Sequence, residues 1–135
     1  MQSPHPKDAL LAQARSDLDR WSRGDTEGYG QSAATDVTYF HNVPAGARVD
    51  GIQAFQEFLS GLKGLIPPHE YKLIDPKVQL YGSVGILTLQ YHAISPDGEL
   101  LAKGRGTSVY YETGGAWEMV HTHWSVFDEG SAESV

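Results

Sequence analysis

The sequence predicts an α+β fold, with helices first and a meandering antiparallel sheet after them. Two observations carry this. Apolar residues recur at helical spacing in two segments of the first half. Everything after Pro67-Pro68 reads as strand and turn. A long curved sheet with helices on one face tends to leave a concave pocket between them.

The elements follow in chain order. Pro6 suits a first helical turn, where its missing N–H costs nothing. Leu10, Leu11, Ala14, Leu18 and Trp21 then give a helical stripe that Gly24 ends. Asp25 is placed to cap a short second helix around Thr26 to Ala33. DVTYFH, 36–41, is rich in strand formers, and NVPAGARVDG reads as a loop. Asp50, with Gln53 three residues on, predicts a capped third helix. Its stripe is Ile52, Phe55, Phe58, Leu59 and Leu62, and Gly64 and the two prolines stop it.

Four long strands complete the chain. EYKLIDPKVQLY turns at Gly82-Ser83 into VGILTLQYHAI, and SPDG turns that into ELLAKGRGTSVYYE. Gly114-Gly115 leads to WEMVHTHWSVF, and GSAESV is a small polar tail. Residues 1–135 are read as a single domain with an ordered core of about 6–128.

Composition narrows the function classes. A chain of 135 residues can bury one core without staples, and with no cysteine there is no thiol chemistry. A net charge of −7 with thinly spread Lys and Arg argues against nucleic acid as a partner. No apolar run approaches the ~18 residues of a membrane span, and the start does not read as a signal peptide. The expectation is a cytoplasmic protein with no membrane partner.

The stretches VTYFHN, VDGIQAFQEFL and WEMVHTHWS, with the order of elements, resemble the nuclear transport factor two-like superfamily. That superfamily includes SnoaL-like and ketosteroid-isomerase-like proteins. The closing strand is most similar to that of the calcium/calmodulin-dependent protein kinase two association domain and its small bacterial stand-alone relatives. The similarity covers about residues 8 to 128. It implies a cone-shaped sheet with three N-terminal helices on its concave face, a pocket between them, and dimers through the outer sheet face. Arginines and a histidine line the pocket in the kinase association domain. Their positions fall on Gln90, Ser108, Trp124 and Phe55 here, none of them charged, so an anionic ligand of that kind is not expected.

Alternation divides the strands into faces. Leu87, Leu89, Tyr91 and Ala93 oppose Thr88, Gln90 and His92. Val120, Thr122, Trp124 and Val126 oppose Trp117, Met119, His121 and His123. The resemblance turns Gln90, Ser108 and Trp124 inward. The expected ligand-binding wall is Tyr39, Phe55, Leu59, Gln90, Ser108, Tyr110, Val120, Thr122 and Trp124, a mix typical of small-molecule sites. Trp117, Met119, His121 and His123 are expected on the outer face, in a homodimer interface. His121-x-His123 on a strand can bind a metal, but two ligands do not make a set, and no metal or cofactor is expected.

Three functions stay open. The first is a homodimeric binding protein for a mostly uncharged, ring-containing ligand. The second is a small isomerase, dehydratase or hydrolase in which His41 or His92 is the base. The third is an oligomerisation module with a relic pocket. No carboxylate pair is read as facing the pocket.

Overall fold

The computed structural model describes residues 5–40 and 47–126. Helix α1 spans Pro6–Ser22, with Pro6 in its first turn and the His5 side chain accepting the Lys7 N–H. Helix α2, Thr26–Tyr29, is capped by Asp25, which accepts the Gly28 N–H at 3.0 Å. Strand β1 is Ala33–Phe40 and β2 is Val49–Asp50, two residues that read as loop in the sequence. Helix α3 is Ile52–Gly61. Its N-cap is Gly51, at φ 90°, with no side-chain cap. The expected Asp50 cap is therefore corrected: Asp50 pairs with Thr38 in the sheet, and its carboxylate meets the exposed Arg48.

Strands β3 (Glu70–Tyr81), β4 (Val84–Ile94), β5 (Leu100–Thr113) and β6 (Ala116–Val126) follow. The sheet order is β2-β1-β6-β5-β4-β3, antiparallel except for β1 beside β6. The sheet is curved and unclosed. Pro76 sits in edge strand β3, at a register shift between Ile74 and Lys77, the setting in which a strand tolerates a residue without N–H. No described helix is long and apolar enough to cross a membrane.

The helices cover one face. Leu10 approaches so closely that a Cβ on Gly85 of β4 would stand 2.2 Å from its Cδ1. The core comprises Leu10, Ala14 and Leu18 of α1, Phe55 and Leu59 of α3, and Leu87, Leu89, Tyr110, Trp117 and Met119 of the sheet. Asp17 continues the buried stripe of α1 at 1% exposure. It accepts from Ser32 Oγ at 2.8 Å and Gln13 Nε2 at 3.3 Å, and burial raises its pKa to about 6.

Strand β6 changes face midway. Tyr110 pairs with Met119, but Val109 pairs with His121, so Val120 is an extra residue at a bulge. Trp117 and Met119 before it are buried in the core, and Thr122 after it is also buried there. Trp117 and Met119 are thus corrected from the outer face to the inner one. His121 and His123 stay outside, where Phe40 meets the first edge-on at 5.9 Å and the second at a tilt at 5.3 Å.

Candidate functional site

One end of the space between helices and sheet stays open. A cavity of about 360 Å³ lies between α1, α2, α3 and the ends of β4, β5 and β6. Its aromatic lining is Trp21, Tyr29, Tyr39, Phe58, Tyr91 and Trp124. Leu62, Ile66, Leu101 and Val126 reach its rim, and Leu101 is 51% exposed. None of the described lining residues is Asp, Glu, Lys or Arg; His69 joins the aromatics as a polar side chain, while Ser125 turns its hydroxyl to Arg105 on the outer face.

Trp124 stands on the inner face because β5 makes room for it. Gly106 is its cross-strand partner, and a Cβ there would meet the indole at 2.7 Å. The alternating glycines of KGRG are the sequence trace of that seat. The indole N–H donates to Tyr29 Oη at 2.9 Å. Tyr29 Oη lies 3.4 Å from Thr122 Oγ1, which lies 2.8 Å from Ser108 Oγ. This chain satisfies four inner polar groups and fixes the ring. Burial pushes the Tyr29 phenol up to about 12, so it stays protonated at neutral pH.

At the mouth, His69 is held at three points. Its backbone N–H donates to the Ser22 carbonyl at 2.8 Å, tying the start of β3 to the end of α1. Its Nδ1 lies 2.8 Å from the Pro67 carbonyl, and its Nε2 lies 2.5 Å from Tyr91 Oη. Tyr91 is stacked on Tyr71, with centroids 5.0 Å apart, and meets Trp124 edge-on at 6.0 Å. Tyr71 in turn donates to the Asp19 carboxylate. Burial, with Tyr71 and Asp19 nearby, raises the Tyr91 pKa well above the ordinary phenol value.

The expected wall is only partly assembled here. Tyr39 and Trp124 line the cavity. Phe55, Leu59, Ser108, Tyr110 and Thr122 face the same side but are buried in packed core. Gln90 is corrected: it pairs with Arg105 and is exposed on the outer face, while Ser108 pairs with inward Leu87. Val120 is corrected to the bulge, without a β5 partner. His92 shares the outer face of Gln90 and opposes Lys72 and Lys103 across the strands. His41 lies outside the described residues. His69 was not anticipated, since a single residue between Pro-Pro and a strand carries no periodicity.

The outer face holds a second, more polar depression, with Asp75, Gln90, Arg105, Thr107 and His123 along it. His121 Nδ1 lies 2.8 Å from Thr38 Oγ1 on the same face, and partial burial lowers the His121 pKa.

Comparison with known proteins agrees with this architecture. Solved structures of similar fold include a putative ketosteroid isomerase from Parabacteroides distasonis. It is 21% identical, with 89% of this chain and 86% of that one covered, at a TM-score of 0.76. The CaMKII hub of S. rosetta is 23% identical over 93% of this chain and all of that one, at 0.75. An NTF2-like protein of unknown function from Pseudomonas putida is 23% identical, covering 92% of each chain, at 0.70. At these identities the likeness is one of fold. No curated protein matches the chain significantly. The model of the SnoaL-like domain matches residues 16–129, and the chain belongs to that family.

Proposed function

We propose that the chain is a homodimeric binding protein for a small, mostly uncharged, ring-containing molecule held between sheet and helices. One observation carries the reading: a cavity of about 360 Å³ with six aromatic side chains in its lining and no Asp, Glu, Lys or Arg among its described residues. That volume is at the small end for ligand sites. An anion would enter with no Lys or Arg partner among the described lining residues, and burying an unpaired charge is costly. A flat neutral ring instead gains the faces and edges of Trp124, Tyr91 and Phe58. Mass spectrometry of small molecules released from freshly purified protein tests this. A neutral cyclic compound at near-stoichiometric amount is expected. A charged acyclic one contradicts the reading.

The dimer rests on the outer face. Val84 pairs with Tyr111 and Ile86 with Val109 there, and Tyr111 is 48% exposed. Phe40, His121 and His123 extend this apolar and aromatic surface, whereas Trp117 and Met119 belong to the core. Such a patch on a sheet is usual at subunit contacts. Neighbours described as CaMKII hubs and as a CaMKII association domain support self-association. Light scattering at micromolar concentration should give twice the chain mass; a monomer rejects the interface.

A further inference from the structure

The hydrogen bonds at the cavity mouth restrict what polar group a ligand can carry there. Nδ1 of His69 faces the Pro67 carbonyl, which can only accept, so this nitrogen holds the ring proton. With the ring neutral, Nε2 has only a lone pair, and the Tyr91 hydroxyl must donate to it. A phenol has one proton, and its raised pKa keeps that proton on oxygen. What Tyr91 then presents to the cavity is an acceptor. Of the other donors in the aromatic lining, the Trp124 N–H is given to Tyr29, whose own hydroxyl faces Thr122 Oγ1.

We infer that the ligand is a cyclic molecule bearing a hydroxyl, a phenol or ring alcohol, whose O–H donates to Tyr91 Oη while its ring lies against Trp124. This inference rests on the binding reading above and names the chemical class that site takes. A ring ketone or an ether brings a second acceptor to Tyr91, and two acceptors facing each other leave both unsatisfied. His69 acts as the positioning residue: by accepting the Tyr91 hydrogen bond it sets the polarity of the contact.

Calorimetric titration with 2-naphthol, 2-methoxynaphthalene and 2-acetylnaphthalene at mildly alkaline pH tests this. The wild-type protein should bind 2-naphthol roughly ten-fold or more tighter than its methyl ether, the usual scale for an unsatisfied buried acceptor. Tyr91→Phe should erase that ratio while leaving the ether's affinity within a few-fold. His69→Leu should free the Tyr91 proton and shift preference toward the ketone; a merely structural histidine would weaken all three alike. An ether or ketone bound as well as 2-naphthol by the wild type overturns the inference and leaves the pocket standing. So does a preference for 2-naphthol that survives Tyr91→Phe. If none of the three binds, the binding reading itself fails and takes the inference with it.

Discussion

The two ends of the space beneath the sheet are built differently. At the narrow end Phe55, Leu59, Leu10 and Met119 are fully buried, and Gly30 and Gly85 let helix side chains sit against backbone. At the wide end Trp21, Phe58 and Trp124 are only partly buried, and Leu101 and Val126 stand half in solvent. Large apolar groups occur at both ends. What separates them is whether a neighbour fills the facing volume, and this difference tells stability residues from binding residues.

The strongest way to sharpen the contrast is a truncation at the narrow end. Phe55→Ala should cost roughly 3–5 kcal/mol, since no solvent or ligand fills the space. Chemical denaturation reads this directly, and a loss below about 1 kcal/mol would mean that the narrow end is also hollow.

The next effect comes from Asp17, a carboxyl buried among the same packed groups. Its folded pKa, about 6, exceeds the unfolded value of 3.8, so the fold disfavours the charged form. The penalty is absent below the unfolded pKa, grows as pH rises through that window, and is complete above the folded pKa. Asp17→Asn should therefore stabilise at neutral pH by roughly 2–3 kcal/mol, a gain that fades as pH falls toward 4. A gain that does not change with pH would show that packing, not ionisation, is responsible.

The outer face should give the smallest of these three effects. Burial lowers the His121 pKa, so the neutral ring is favoured in the fold. That contribution is present above the free-histidine value of ~6.5 and is lost as pH falls through the folded one. Denaturant unfolding is expected to report a modest loss of stability as pH falls below that free value, with His121→Gln flattening the dependence. An unchanged profile in that variant would assign it elsewhere.

How far the sequence reveals these features depends on the physical signal each leaves. Turn chemistry at Gly82-Ser83 and SPDG bounded β3 and β4 well, and Pro6 and Asp25 marked helix starts. Asp50 had the right type and spacing for a cap, but its backbone is committed to pairing with Thr38. Alternation sorted β4 into two faces correctly, yet the inward face was chosen by resemblance, which brought Gln90 inside instead of Leu87 and Tyr91. In β6 a single extra residue, Val120, reverses parity, and nothing local distinguishes it from its neighbours. Asp17 was legible in principle, since it lies three residues after Ala14 on the apolar stripe of α1. The His69–Tyr91 contact joins residues 22 apart and has no sequence signature.

The most direct test concerns Trp124, the one expected wall residue that lies at the cavity, is only partly buried, and is held there by glycines opposite. Trp124→Ala is to be measured twice, by thermal unfolding and by a fluorescence screen of uncharged aromatic compounds against wild type and variant. A binding wall predicts a stability loss of only about 1 kcal/mol, well short of the ~3–5 kcal/mol for a fully packed aromatic, together with loss of binding. A loss in the full packed range, with no compound quenching wild-type tryptophan emission, would contradict the account.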